Sequence, residues 1–436
     1  MTEFRFSDPV TLVRLVRFRS SGARRGLLCY NEPMQTNEIQ QKYLKKAGLL
    51  ALITVTGMAP PLSTDMYMPS LPIMADYFGA AAVIVNMTMV AFFISMAVGM
   101  LIFGPLSDRS GRKRVLIFSL LLYMVASVLC AVTSSVYFLI IMRIVQGLGA
   151  GGMVSLSIAI IKDCFEGPTR ATALAVVQSM SVIAPIMAPV IGALIIQVST
   201  WRTVFFVLAG ISAVCLITTF FFEESIHEDE RNEGGVIDSI KRLGVVGRNV
   251  NFTSLLISVS FFSAPFMAYL AVASYVYEDF FGLLPTTFSI FFAINALSSV
   301  FGPLIYMRIN SRVSPKATMW VLFAIAFAAG IAMLLFGHFS PVIFLATMIP
   351  FSMANSYVRP FSTNILLDQV KGDTGSASAL LNFTHTLLGS IGMFIGSLPW
   401  GSYISGIGIT IVGFLLIALA VWIYVLKSRW QTMRIQ

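Results

Sequence analysis

The feature that most constrains this chain is a series of apolar stretches, each long enough to cross a lipid bilayer. A membrane-spanning helix needs about 20 consecutive apolar residues, and the chain is 57% hydrophobic and only 11% charged. Such a composition excludes a soluble globule. We predict twelve membrane helices, called spans 1 to 12, at residues 47–68, 83–106, 115–132, 136–161, 171–198, 204–222, 252–277, 286–307, 317–336, 341–367, 375–398 and 404–426.

The distribution of Lys and Arg predicts how these spans are oriented. Twelve is an even number, so both termini lie on one side of the membrane. The loops and tails on that side hold 26 of the 29 Lys and Arg residues, and the opposite loops hold one, Arg202. Because cytoplasmic loops carry such an excess, we expect both termini in the cytoplasm. The cations are spread over seven short segments, as membrane topology explains, and do not cluster on one element as a nucleic-acid surface would require. We therefore expect no nucleic-acid partner.

A repeated tetrapeptide indicates that the chain is built from two similar halves. Phe103-Gly104-Pro105-Leu106 recurs as Phe301-Gly302-Pro303-Leu304, each time at the end of the second span of a half. Six spans followed by six spans is typical of a secondary transporter. The predicted organisation is a basic cytoplasmic segment at 1–46, a six-helix half at 47–222, a cytoplasmic linker at 223–250, a second six-helix half at 251–427 and a cytoplasmic tail at 428–436.

The two polar segments of the chain allow more than one interpretation. The basic segment contains no uninterrupted apolar core and is therefore not a secretory signal. Residues 1–33 are either a simple tail or an artefact of an upstream start, or else a basic amphipathic segment that lies on anionic lipid. The linker begins with an acidic run, and its second half has the spacing of a surface helix.

The short loop after span 2 carries the strongest family resemblance. The residues concerned are Gly104, Asp108, Arg109, Gly111, Arg112 and Lys113. This pattern resembles the loop between the second and third helices of the major facilitator superfamily. The resemblance implies the major facilitator fold, an all-α membrane protein with 12 transmembrane helices in two six-helix halves. It also implies a conformational latch, in which Asp108 meets the start of span 11 and favours the outward-open state. The alternative is that the loop only sets topology.

A second motif lies inside span 4. The run Arg143-Ile144-Val145-Gln146-Gly147 resembles the Arg-x-x-Gln-Gly motif of the same superfamily. A guanidinium group within a span is costly and needs a cavity or a partner, and the glycines that follow allow close helix approach. We expect Arg143 to take part in proton coupling; the alternative is a purely structural role.

The end of span 1 resembles one particular type of transporter within this superfamily. The run Asp65-Met66-Tyr67-Met68-Pro69-Ser70-Leu71-Pro72 resembles the bicyclomycin-resistance type of drug/proton antiporter. Asp65 is predicted to be the only acidic residue inside a span and far from the cytoplasmic loops, which makes it the natural proton carrier. Asp65 and Arg143 are expected at similar depth, so they can pair, and substrate arriving between them would change the protonation of Asp65. A helix-end Asp with a structural hydrogen bond is the alternative.

Other polar or proline-containing positions are further candidates for the functional site. Pro185, Pro189 and Gly192 in span 5 are similar to the antiporter motif of the superfamily, although Ala188 stands where glycine is usual. The candidates for lining the cavity are Gln146, Asn295, Asn382 and His385. For His385 the alternative is a histidine satisfied by a neighbour. Arg359 in span 10 lies near the cytoplasmic end, where we expect it to anchor the helix.

Several other function classes lack the residues they need. The chain has three isolated His residues and no zinc-protease pair, so we expect no enzyme. The dipeptide Gly-Lys never occurs, which excludes the phosphate-binding loop of a primary pump. The four cysteines have no metal-binding spacing, so no metal and no cofactor is expected. Without a phosphate-binding loop the energy must come from an ion gradient, and the family resemblance implies that the ion is the proton.

The resemblance therefore predicts a transporter of the bacterial inner membrane that exports amphipathic drugs or related small molecules in exchange for protons by alternating access. Its expected partners are the lipid bilayer, an amphipathic small molecule and a proton, and we expect a monomer. Two alternatives remain open. One is a transporter of a specific metabolite, and the other is a membrane receptor or channel without coupled flux.

Overall fold

A computed structural model describes residues 14–17, 27–30, 41–226, 236–310, 312–367, 369 and 374–427. Eleven of its helices are long and apolar enough to cross a membrane, and a twelfth crossing is made by two helices that bend by 41° where they join. The spans run over Lys45–Gly57 with Ala59–Phe78 (span 1), Ala82–Ser110, Arg112–Val132, Val136–Cys164, Gly167–Val198, Trp201–Phe220, Val250–Phe280, Pro285–Ile309, Pro315–Phe336, Pro341–Leu367, Thr374–Gly396 and Tyr403–Lys427. The predicted all-α fold with twelve spans is confirmed.

Three spans are interrupted. Span 1 contains the helix Ala59–Asp65, the 3-10 turn Met68–Ser70 and the helix Leu71–Phe78, so it is about ten residues longer than predicted. Span 7 contains the helices Val250–Ser260 and Ser263–Ser274 and the π-helix Tyr275–Phe280. Span 8 divides into Pro285–Ser299 and Phe301–Ile309.

Outside the membrane, the linker forms a helix at Val236–Gly247, where helical spacing was predicted. The basic N-terminal segment contains two short strands, β1 (Arg14–Arg17) and β2 (Leu27–Tyr30), which pair antiparallel with Arg14 opposite Tyr30. The sequence analysis did not predict these strands. The rest of the predicted segment up to residue 40, linker residues 227–235 and the predicted tail at 428–436 lie outside the described residues.

Span 4 is the packing centre of the first half because its glycines allow neighbouring backbones to approach. A Cβ atom at Gly149 would lie 2.8 Å from the carbonyl oxygen of Ser119 in span 3. A Cβ atom at Gly151 would lie 2.7 Å from the backbone nitrogen of Met100 in span 2. Both distances are too short for a real side chain, so the predicted role of these glycines in close helix approach is supported.

The repeated tetrapeptides occupy equivalent places in the two halves, but neither forms a turn. Gly104 lies within the helix of span 2, and its nearest neighbour is Ser155 of span 4. Gly302 lies in span 8 against Ser356 and Tyr357 of span 10. Span 2 continues through Gly104 to Ser110, and the turn to span 3 is made by one residue, Gly111.

The two halves are joined on the side of the bundle opposite the termini. Asn86 Nδ2 in span 2 donates to Ser397 Oγ at 3.0 Å, just after span 11. Tyr275 OH in span 7 donates to the Leu71 carbonyl oxygen at 3.4 Å. Ser289 Oγ in span 8 donates to the carbonyl oxygen of Pro189 in span 5 at 2.9 Å. In this conformation the bundle is therefore held together at that side.

Candidate functional site

The interruption of span 1 places Asp65 inside the first half. Asp65 ends the helix Ala59–Asp65, and Pro69, which cannot donate a backbone hydrogen bond, lies in the 3-10 turn that follows. The Asp65 side chain is 5% exposed. One carboxyl oxygen accepts a hydrogen bond from Thr64 Oγ1 at 2.9 Å. A buried carboxyl group is thus held at a break in a membrane helix.

Arg143 organises the same level of the first half. Its Nη1 donates to the Ser63 carbonyl oxygen of span 1 at 3.1 Å, and its Nε donates to the Thr88 carbonyl oxygen of span 2 at 3.2 Å. Nη1 also donates to Gln146 Oε1 at 2.6 Å, and Gln146 Nε2 donates to Ser127 Oγ of span 3 at 2.7 Å. Arg143 and Gln146 are fully buried. The arginine thereby connects four spans.

Aromatic rings complete the surroundings of this guanidinium. Its central carbon lies 4.3 Å from the ring centre of Phe92 and 5.1 Å from that of Tyr67. Such cation–π contacts stabilise a desolvated charge. Its Nη2 atom is buried and has no hydrogen-bond partner among the described residues.

The pairing of Asp65 with Arg143 that the sequence allows is absent from this conformation. The donors of Arg143 face two carbonyl oxygens and Gln146. Asp65 and Arg143 are both described by the structure, and no ion pair joins their side chains. They are nevertheless linked through the backbone, because Ser63 lies two residues before Asp65.

The span 5 motif packs directly on the break in span 1. A Cβ atom at Gly192 would lie 3.0 Å from Met66 Cα and would collide with the Met66 carbonyl group. Met66 is the residue after Asp65. Pro185 and Pro189 lie inside the span 5 helix, where each removes one backbone hydrogen bond. The Pro189 carbonyl oxygen accepts the bond from Ser289 of the second half. This motif therefore connects the surroundings of Asp65 with the contact between the halves.

The loop between spans 2 and 3 turns at Gly111 and is fastened by Arg112. Gly111 has φ of +93°, in the region that favours glycine. Arg112 Nε lies 2.8 Å from Asp163 Oδ2 at the end of span 4, and Nη1 donates to Ser107 Oγ at 2.6 Å. Arg112 also forms an ion pair with Asp108, four residues before it. Arg109, by contrast, is exposed.

The predicted latch partner of Asp108 was the start of span 11, and the structure shows different contacts. The backbone nitrogen of Arg112 donates to Glu224 Oε1 at 2.7 Å, and that of Lys113 donates to Glu224 Oε2 at 3.2 Å. Ser225 Oγ donates to Asp163 Oδ2 at 3.2 Å. In this conformation the motif is bound to the end of span 4 and to the first residues of the linker after span 6.

The four candidates for lining the cavity occupy different environments. Gln146 is buried in the Arg143 network and reaches no open space. Asn295 is 2% exposed, and its Oδ1 atom has no partner among the described residues. His385 is 4% exposed; its Nδ1 lies 2.9 Å from Ser260 Oγ, while its Nε2 is unpartnered within the described part of the chain. Asn382 is exposed, and its Nδ2 donates to the Ser378 carbonyl oxygen at 3.0 Å.

The end of span 7 holds two acidic residues that were not predicted to lie inside a span. Asp65 was predicted to be the only acidic residue inside a span and far from the cytoplasmic loops. This is wrong, because span 1 extends to Phe78 and includes Asp76, and the π-helix extends span 7 to Phe280 and includes Glu278 and Asp279. Glu278 Oε1 is buried and has no hydrogen-bond partner among the described residues. π-Helical turns are often found at functional sites. The only available signal was an acidic pair at the end of an apolar run.

Metal binding has no support in the described residues, where no group of three or more His, Cys, Asp and Glu side chains is placed to hold an ion.

Comparison with known families and structures agrees with the family resemblance seen in the sequence. The model of the family "Major Facilitator Superfamily" matches residues 53–393.

Two curated relatives and one solved structure illustrate the similarity. An uncharacterized MFS-type transporter, YdgK of Bacillus subtilis, is 30% identical over 82% of this chain and 90% of its own length. A bicyclomycin resistance protein homolog of Haemophilus influenzae is 24% identical over 67% of this chain and 74% of its own. The crystal structure of a bacterial homolog of the human lysosomal transporter Spinster, inward-facing and unoccupied, superposes with a TM-score of 0.72 at 15% identity, covering 90% of this chain and 100% of that one.

Proposed function

Because this chain belongs to the major facilitator superfamily and is therefore a transport protein rather than an enzyme, we propose that it exports amphipathic small molecules in exchange for protons. Drug-like molecules are the proposed cargo because a relative is named for bicyclomycin resistance. The proposed location is a bacterial cytoplasmic membrane with both termini inside. No cofactor is needed, since a proton gradient would supply the energy.

The observation that carries the proposal is the position of Asp65. It is a buried carboxyl group at a helix break, next to backbone that Arg143 and Gly192 both contact. A carboxyl group in such a place is costly to bury as an anion. Its protonation would therefore favour one arrangement of these helices and its ionisation another, and this difference is what coupling requires.

The contact between the halves suggests how the two arrangements differ. The halves are joined on the side opposite the termini by three side-chain hydrogen bonds, and one of them ends on Pro189, three residues before Gly192. We infer that this conformation is closed to the outside. Proton loading from the outside would then require these bonds to open, with Asp65 exposed by movement of span 5 against span 1.

The test is uphill transport in proteoliposomes. A panel of bicyclomycin, sulfonamides and phenicols in an efflux-deficient host first identifies a transported compound. Uptake driven by an imposed pH gradient is then compared for the wild type, Asp65→Asn and Asp76→Asn. Asp76 is the matched control, because it also lies in span 1 but is exposed.

The expected result separates coupling from binding. Asp65→Asn should abolish pH-driven accumulation but retain exchange of labelled for unlabelled compound, while Asp76→Asn should behave like the wild type. Undiminished accumulation by Asp65→Asn would overturn the role of Asp65. A conductance that does not saturate with the compound would instead support the channel alternative.

A further inference from the structure

Arg359 is a cation whose position the proposed transport cycle does not use. It lies in span 10, eight residues before the end of that helix at Leu367, which corresponds to about 12 Å of depth at 1.5 Å per residue. The side chain is exposed, whereas Ser352 and Leu366, seven residues before and after it on the same face of the helix, are fully buried against other helices. A side chain in such surroundings faces an internal cavity rather than lipid.

Arg359 also differs from Arg143, the arginine in the middle of span 4. Arg143 is fully buried and uses its donors on neighbouring carbonyl oxygens. The guanidinium of Arg359 has neither an ion pair nor a hydrogen bond of its own within the described residues. An intramembrane cation is costly to keep and marks a candidate functional site. Anchoring of the helix end, as expected from the sequence, would instead place the group at the membrane surface.

Two polar side chains of span 11 accompany Arg359. His385 is buried and lies eleven residues from the start of span 11 at Thr374, which places it about 4.5 Å deeper than Arg359 at 1.5 Å per residue. Because Ser260 occupies the Nδ1 side of the ring, the free hydrogen-bonding position of His385 is Nε2. Asn382 is exposed and lies eight residues from the start of span 11 at Thr374, so its depth of about 12 Å equals that of Arg359.

We propose that Arg359, together with His385 and Asn382, binds the anionic group of the cargo. The inference rests on the proposed function and specifies its substrate class: amphipathic weak acids, with a carboxylate, sulfonate or similar acceptor group, are preferred to lipophilic cations. Planar guanidinium donors match a two-oxygen acceptor. His385 and Asn382 supply further polar contacts, while the apolar body of the cargo occupies the rest of the cavity.

The same chemistry is offered by the headgroup of an anionic lipid. A lipid headgroup would enter from the bilayer and would need no apolar body in the cavity, whereas cargo binding should depend on both the anionic group and the apolar part. The experiment must therefore vary the charge of a ligand at constant apolar body and must include an anionic lipid as a competitor.

Binding to the purified full-length protein in detergent provides the test. The probes are dansylglycine, dansylamide and dansylcadaverine, which share one fluorescent apolar body and carry a carboxylate, no charge and an ammonium group. We expect the wild type to bind dansylglycine about tenfold more tightly than dansylcadaverine. Arg359→Gln should lower the affinity for dansylglycine about tenfold and change the affinity for dansylamide less than about twofold. Arg359→Lys should retain part of the preference.

Three outcomes would overturn the proposal. The first is that the wild type binds dansylcadaverine as tightly as dansylglycine or more tightly. The second is that Arg359→Gln binds dansylglycine as tightly as the wild type does. The third is that equimolar phosphatidylglycerol displaces dansylglycine but not dansylamide, a result that would assign the site to lipid. If Arg359→Gln does not purify as a folded protein, Arg359→Lys and Asn382→Ala answer the same question. Binding is measured without a proton gradient, so a failure of proton coupling leaves this result unaffected.

Discussion

Arg143 Nη1 donates a hydrogen bond to the carbonyl oxygen of Ser63, two residues before Asp65, at a distance of 3.1 Å. The same guanidinium holds span 2 through the Thr88 carbonyl oxygen. The backbone leading to the proposed proton carrier is thus fixed by a cation on another helix. In this conformation Arg143 contacts the backbone next to Asp65 and forms no ion pair with its carboxyl group.

Arg143→Lys should fold poorly or transport at least about tenfold more slowly, because one ammonium group cannot reach both carbonyl oxygens and Gln146. Each hydrogen bond lost from a charged donor costs about 1.5–3 kcal/mol, so we expect a lower apparent melting temperature in detergent. Arg312→Lys is the control, because Arg312 is exposed in the loop after span 8. Equal melting temperatures and equal transport rates for the two variants would show that the network is dispensable.

Gly192→Ala tests the contact between spans 5 and 1. An added methyl group would collide with the Met66 carbonyl, so span 1 must shift beside Asp65. We expect proton-driven transport to fall at least about tenfold, because positioning errors of about 1 Å have effects of that size or more. Gly210→Ala in span 6 is the control, since a methyl group there would meet nothing within 4 Å. Wild-type transport by Gly192→Ala would contradict this packing.

Arg112→Gln tests the fastening of the loop after span 2. The substitution removes the charged contacts to Asp163 and Asp108, and about 1.5–3 kcal/mol of stabilisation is lost for each hydrogen bond to a charged group. We expect slower transport with nearly unchanged substrate binding, because the loop lies outside the cavity. The exposed Arg109, changed to Gln, should have little effect. A parallel loss of binding in Arg112→Gln would argue against a conformational role.

Glu278→Gln should raise the apparent melting temperature, because the amide can occupy the buried position without the cost of burying a charge. The neighbouring Asp279 is exposed, so Asp279→Asn should change the melting temperature little. A lower melting temperature for Glu278→Gln would show that the carboxyl group has a stabilising partner.

The sequence predicted the parts of this protein that depend on hydropathy and on local helix packing. Apolar length determines where a chain can cross a bilayer, so the spans were found to within a few residues, except where span 1 continues beyond its break to Phe78. The glycines after Arg143 were correctly interpreted, because close helix contact leaves no room for side chains. The family followed from motifs in the first half.

Tertiary contacts were not predictable in the same way. Nothing in the local sequence indicates that Glu224, 112 residues after Arg112, accepts its backbone hydrogen bond. The π-helix that brings Glu278 into span 7 depends on packing at the end of that span and has no sequence signature. Arg359 was interpreted from its depth alone, and only the structure shows that its accessible side chain lies on a helix face where Ser352 and Leu366 are buried.

The proposed function requires that outward movement of the compound and inward movement of a proton are obligatorily linked through Asp65. The most direct measurement uses proteoliposomes with a pH-sensitive dye inside and no pH gradient, to which an outwardly or inwardly directed gradient of the transported compound is applied. The wild type should move protons against the direction of the compound, and Asp65→Asn should move none while still exchanging the compound. Compound-driven proton movement that persists in Asp65→Asn, or that is absent from the wild type, would contradict the account.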